Sequence, residues 1–146
     1  MKKLLLGLML MVLLFGSFFL NIFIHEYGHY TVADYYELNP TVHFDSTAPA
    51  DSKFALYLPD AFTSYSSSGE VLTKQDATIA FAGPLVNLIF ALSVCGIYVC
   101  LPRKRKTVKM QMCFAMLAIP AFLSFIVNLL PIGFSDGAII LSALGI

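Results

Sequence analysis

The chain has 146 residues, of which 58% are hydrophobic and 12% are charged, and its formal net charge is zero. Because about a quarter of the residues in a soluble domain are charged, this composition predicts a membrane protein and excludes a cytosolic enzyme. The balanced charge provides no basic field that would attract nucleic acid. Cys95, Cys100 and Cys113 have no C-x-x-C spacing, which argues against a disulfide framework or a cysteine metal site.

Apolar stretches long enough to cross a bilayer occur three times, since a spanning helix needs about 20 such residues. The first stretch continues without a proline through HEYGHYTVADYYEL. Gly83-Pro84 is expected to break the second span near its start, and Pro120 lies within the third. The predicted spans are residues 4–36, 77–101 and 108–130.

The start of the chain also has the form of a secretory signal peptide, with Lys2-Lys3 before an apolar run. However, the run is longer than the usual apolar region of a signal peptide, and no clear small-x-small cleavage site follows it. Cleavage would also leave residues 25–29 at a loose N-terminus. We therefore expect this segment to remain as a membrane span.

A polar segment, residues 38–76, separates the first two spans. Its short runs TVHF and FALYL predict β-strands with turn residues between them, and therefore a small hairpin. The last apolar stretch, residues 138–146, is too short to cross and predicts a short C-terminal helix. The expected fold is a single all-α domain over residues 1–146, an integral, multi-pass protein of the cell membrane with a hairpin-like extramembrane segment.

Charge placement predicts the orientation of the spans. Lysine and arginine cluster at Lys2-Lys3 and over residues 103–109, whereas the polar segment is mainly acidic. By the positive-inside rule, the two basic clusters are cytoplasmic and the polar segment lies outside.

The sequence His25-Glu26-Tyr27-Gly28-His29 is an H-E-x-x-H motif on a predicted helix. Residues four apart share a helix face, so His25 and His29 can direct ring nitrogens at one zinc ion. Glu26 lies beside them and can accept a proton from a metal-bound water. Ionisable groups at membrane depth are costly, which favours a functional site over an interfacial polar cluster.

A third protein ligand is needed to complete such a site. Glu37 follows closely on the same helix, while His43 and Glu70 lie in the polar segment. Asp136 is the better candidate, because the first and third spans run in the same direction and it lies just beyond the third span. A lone aspartate after a helix is also a common cap or turn residue.

Three motifs in order resemble those of the site-2 protease family of intramembrane zinc metalloproteases. They are HEYGH, then Ala82-Gly83-Pro84-Leu85-Val86-Asn87, then Asn128-x-x-Pro131-x-Gly133-x-x-Asp136-Gly137. The family forms are H-E-x-x-H, G-P-x-x-N and N-x-x-P-x-P-x-x-D-G. Gly133 replaces the family's second proline, and Ala138 replaces a common second glycine.

The resemblance implies zinc (Zn²⁺) ligands at His25, His29 and Asp136, a general base at Glu26, and a catalytic Asn87 facing the site. Asn87 would hydrogen-bond the substrate strand or the developing oxyanion, or else the backbone freed by Pro84. The implied activity is hydrolysis of a peptide bond, in or near the lipid bilayer, of a single-span membrane protein or membrane-associated peptide. The alternative is a non-catalytic relative that binds zinc or a partner helix.

Overall fold

The computed structural model describes residues 2–45, 60–66, 73–133 and 135–146. Over these residues the chain forms four α-helices, one two-stranded antiparallel sheet and a single 3₁₀ turn at Arg103–Arg105. In chain order the elements are α1 (Lys2–Tyr35), β1 (Thr41–Asp45), β2 (Asp60–Ser64), α2 (Lys74–Cys100), α3 (Val108–Leu129) and α4 (Asp136–Leu144).

Helices α1, α2 and α3 are long and apolar enough to cross a membrane, as predicted. One expectation about them is wrong, because α2 continues through Gly83-Pro84 without a break. Pro84 removes only the N–H that would bond to the carbonyl of Ala80, and in an apolar bundle neighbouring groups compensate for such a loss. The helix α3 likewise continues through Pro120.

The hairpin is confirmed, but its second strand differs from the predicted one. TVHF forms β1, which pairs antiparallel with the sequence DAFTS so that Thr41 lies opposite Ser64 and Val42 opposite Thr63. The FALYL run lies outside the described residues. β2 was missed because DAFTS is short and polar, and its pairing with β1 is a contact between segments distant in sequence.

Helix α2 is the centre of the bundle and packs against α1, α3 and α4. Its start is fixed by a capping box, in which Thr73 and Asp76 satisfy each other's backbone N–H groups. Small residues then allow α1 to approach closely. A Cβ atom on Gly83 would overlap the imidazole ring of His29, so glycine is required where α2 meets the H-E-x-x-H turn.

Candidate metal centre

One face of α1 carries a polar residue at every fourth position: Ser17, Asn21, His25 and His29. All four are buried, with between 2% and 8% of each residue exposed. Spacing by four keeps them on one side of the helix, and this side faces the bundle interior. The two histidines therefore project together from the end of α1 that packs against α2.

The third group arrives from the opposite end of the chain. Asp136 is the first residue of α4, whose N-cap is Ser135. The Ser135 hydroxyl accepts a hydrogen bond from the Ala138 N–H and donates one to the Leu130 carbonyl, so a single side chain joins α4 to the end of α3. This short connection directs Asp136 back towards the histidines.

Gly133 lies in the same connection with φ +61°, a left-handed conformation that proline cannot adopt. A proline therefore could not take this position without a change in the backbone. The turn still places Asp136 at the predicted site.

His25, His29 and Asp136 form a compact group that could hold a metal ion. Their ligand atoms all lie within 4.8 Å of one another. The two Nε2 atoms are 3.1 Å apart, His25 Nε2 is 3.1 Å from Asp136 Oδ2, and His29 Nε2 is 3.4 Å from Asp136 Oδ1. Ligands about 2.0–2.1 Å from a tetrahedral ion are separated by about 3.3 Å, so the spacing fits a shared ion.

The Asp136 carboxylate gives a further sign that a cation belongs here. Its Oδ2 atom is buried and makes no hydrogen bond with the described residues, although it lies 3.1 Å from His25 Nε2. A buried carboxylate oxygen without a hydrogen bond is costly, and a metal ion removes that cost. Two imidazoles and one carboxylate also match the donor sets that catalytic zinc sites use, in which the fourth position stays open.

Both histidines are held by their outer ring nitrogens. His29 Nδ1 donates to the carbonyl of Ile79 at 2.7 Å, which leaves the Nε2 lone pair free to face the centre. His25 Nδ1 lies 3.3 Å from Nδ2 of Asn87. These contacts orient the rings from α2, in the manner of outer-shell partners in metal sites.

Glu26 lies in a cavity of about 250 Å³ that it shares with the three candidate ligands. Its Oε2 atom accepts a hydrogen bond of 2.8 Å from the hydroxyl of Thr63, which also donates to the Glu26 carbonyl at 3.1 Å. Strand β2 therefore covers the H-E-x-x-H turn. The carboxylate of Glu26 is not one of the three candidate metal ligands, so it is available to accept a proton.

The other ligand candidates do not join the group where they are described. Glu37 is exposed on the turn after α1, and His43 on β1 has its Nε2 atom 2.8 Å from Ser64 Oγ. Glu70 lies outside the described residues. Asp136 is thus the candidate that the fold brings to the histidines.

Sequence reasoning missed Thr63, Tyr65 and Ser124. Exposure alternates along residues 61–66, and the inward positions Ala61, Thr63 and Tyr65 all line the cavity. This alternation is visible only once β2 is placed in the sheet, because the sequence of residues 61–66 does not alternate between apolar and polar side chains.

Tyr65 joins the hairpin to the start of α2 by donating to Asp76 Oδ1 at 2.9 Å. Burial and the neighbouring carboxylate raise the pKa of the Tyr65 phenol, in keeping with a hydroxyl that donates to Asp76. The cover over the cavity is therefore attached at two points, to α1 through Thr63 and to α2 through Tyr65.

Comparison of the chain with protein-family models, curated protein sequences and solved structures gives no match.

Proposed function

We propose that the protein is a membrane-embedded zinc endopeptidase of the site-2 protease kind. The observation that carries this proposal is the convergence of His25, His29 and Asp136 at one point, with Glu26 opening onto the same cavity. A metal-binding group alone would need only the ligands. A carboxylate beside it that is not itself in the group supports hydrolysis.

The residues divide the chemistry between them. A zinc ion, when bound, would act as a Lewis acid that polarises the scissile carbonyl and makes water a better nucleophile. Glu26 accepts the proton of the attacking water and returns it to the leaving amine. Thr63 holds the Glu26 carboxylate towards the cavity through its hydroxyl.

The proposed medium of the reaction is the bilayer. Support comes from the three long apolar helices and from the exposed aliphatic side chains along α1 and α3. The proposed substrate is a single-span protein or a membrane-associated peptide. Its scissile carbonyl must be released from helical hydrogen bonds before it can react.

Strand β2 is suited to receive such an unwound segment. Its residues Ala61, Phe62 and Thr63 line the cavity, and within the described residues β2 pairs only with β1. Addition of a substrate strand to the hairpin would hold an extended peptide beside Glu26.

The proposal is tested by coexpressing the protein with candidate single-span substrates and comparing Glu26→Gln with the unaltered chain. We expect Glu26→Gln to retain zinc and to lose cleavage by about 100-fold or more, because glutamine keeps the shape but not the base. Glu37→Gln is the matched control, since Glu37 is exposed and away from the site. Unchanged cleavage by Glu26→Gln would refute the hydrolytic mechanism.

The same experiment separates the non-catalytic alternative. A protein that only binds zinc would retain zinc in both variants and cleave nothing in the unaltered form. A protein that only binds a partner helix would also cleave nothing in the unaltered form.

A further inference from the structure

Asn87 lies at the centre of α2, one turn after Gly83, and is fully buried at 0% exposure. It does not line the cavity that contains Glu26. Its amide instead meets two groups, with Nδ2 placed 3.3 Å from His25 Nδ1 and 2.8 Å from the hydroxyl oxygen of Ser124. Asn87 therefore contacts the outer face of a candidate ligand and not the space where a peptide would react.

A histidine that binds metal through Nε2 carries its hydrogen on Nδ1, and that hydrogen needs an acceptor. His29 has one in the carbonyl of Ile79. For His25 the neighbouring group is the Asn87 amide, which has an acceptor at one end and donors at the other. A half-turn of the amide exchanges the two ends, so the contact itself does not decide which end faces the ring.

The surroundings of the amide support the orientation with oxygen towards the ring. As placed, Asn87 Oδ1 is buried without a hydrogen-bond partner among the described residues. A half-turn would move the Nδ2 donors to that position, so the burial of this atom does not decide the orientation, and the hydrogens available on His25 and Ser124 do. Ser124 Oγ accepts a hydrogen bond from Asn128 Nδ2 at 3.1 Å, and its own hydrogen can be directed at the amide. With Oδ1 turned towards His25, the amide oxygen accepts from both the imidazole and the serine.

We propose that Asn87 is a positioning residue of the metal centre, whose Oδ1 accepts the Nδ1–H of His25 while Ser124 holds the amide in that orientation. The contact fixes the tautomer and the rotation of the ring, so that the Nε2 lone pair of His25 points at the ion. This inference rests on the proposed metal centre. It assigns the two ligand histidines different supports, a backbone carbonyl for His29 and a side chain for His25.

The test is the zinc dissociation constant of the purified, detergent-solubilised protein, measured by competition with a chromophoric chelator. Asn87→Leu keeps the approximate volume and removes both ends of the amide, and it should weaken zinc binding by about 10–100-fold. Asn87→Asp keeps an acceptor and removes the donors, and it should stay within about tenfold of the unaltered protein. Asn21→Leu is the matched control, because Asn21 is also a buried asparagine and lies one turn before His25 on α1, but it bonds to Ser17.

Two results would overturn the inference. Equal zinc affinity in Asn87→Leu and the unaltered protein would show that the ring needs no support from Asn87. A loss in Asn87→Asp as large as that in Asn87→Leu would show that the donor end is the one that matters. If the unaltered protein itself binds no zinc, the proposed function and this role of Asn87 both fail, and that outcome is distinct from the first two.

A second readout does not depend on affinity. With ¹⁵N-labelled histidine and zinc present, the His25 resonances should show Nδ1 protonated in the unaltered protein and in Asn87→Asp. In Asn87→Leu the Nδ1 resonance should shift, while Asn21→Leu should leave it in place. An unchanged Nδ1 resonance in Asn87→Leu would contradict the proposed contact even if that variant binds zinc weakly through altered folding.

Discussion

The two halves of α1 form one continuous helix yet lie in different surroundings. In the N-terminal half, Leu5, Met9 and Val12 are 61%, 62% and 68% exposed, and a Cβ atom on Gly16 would meet nothing within 4 Å. In the C-terminal half, His25 and His29 are 8% and 7% exposed and contact α2 and α4.

This difference separates the half of the helix that has few protein contacts from the half that depends on packing within the chain. Exposed aliphatic side chains would be at no disadvantage in hydrocarbon, so in the proposed bilayer the N-terminal half would need few protein partners. Buried histidines need hydrogen bonds or a metal in any apolar medium. Substitutions should therefore be tolerated in the first half and costly in the second.

Among changes that disturb the surroundings of the two histidines, substitution of Asp136 is expected to have the largest effect on zinc binding. Asp136→Ala removes one of three candidate ligands. Loss of an outer-shell partner weakens metal binding by about 10–100-fold, and the loss of a ligand should weaken zinc binding by more than that. Glu37→Ala, His43→Ala and Glu70→Ala should retain the metal, as measured by zinc content after dialysis. Full zinc occupancy in Asp136→Ala, with loss in any of those three, would show that the ligand assignment is wrong.

A pair of glycine substitutions compares the two surroundings, one on α2 where it packs against the C-terminal half of α1 and one within the N-terminal half of α1. Gly83→Ala places a methyl group against the imidazole ring of His29, so it should destabilise the protein by about 1–3 kcal/mol and weaken zinc binding. Gly16→Ala meets open space in the N-terminal half and should be neutral or stabilising by up to about 1 kcal/mol. Thermal unfolding in detergent measures both, and equal effects would mean that the two halves are packed alike.

The smallest effect is expected at the cover of the cavity. Thr63→Val removes the hydrogen bond to Glu26 and should lower turnover about 10-fold without changing zinc content. Thr63→Ser keeps the hydroxyl and should remain close to the unaltered protein. Faster cleavage by Thr63→Val would show that the hydroxyl restrains Glu26 instead of orienting it.

The three long apolar helices and the grouping of His25 with His29 could be predicted from the sequence because both depend on local patterns. Apolar length marks α1, α2 and α3, and the four-residue spacing of His25 and His29 places them on one helix face. Asp136 could be included because parallel spans end on the same side. Each of these arguments needs only the order of residues within or between helices.

The contacts that support the site could not be predicted in the same way. Thr63 contacts Glu26 because of the register between β1 and β2, and the sequence of β2 gives little sign that it forms a strand. Asn87 faces His25 and Ser124 because of the rotational orientation of α2 between α1 and α3. The sequence of a single helix does not determine that orientation. A polar stripe such as Ser124-x-x-x-Asn128 marks an inward face, but it does not name the partner.

The most direct test of the central claim is X-ray absorption at the zinc edge on the purified protein, with Asp136→Ala and Glu26→Gln alongside. We predict one zinc ion with nitrogen and oxygen ligands at about 2.0–2.1 Å, imidazole scattering from two histidines and no sulfur. Glu26→Gln should give the same ligand shell, and Asp136→Ala should lose the metal. An unaltered protein without zinc, or zinc bound to sulfur at about 2.3 Å, would contradict the His25, His29 and Asp136 centre.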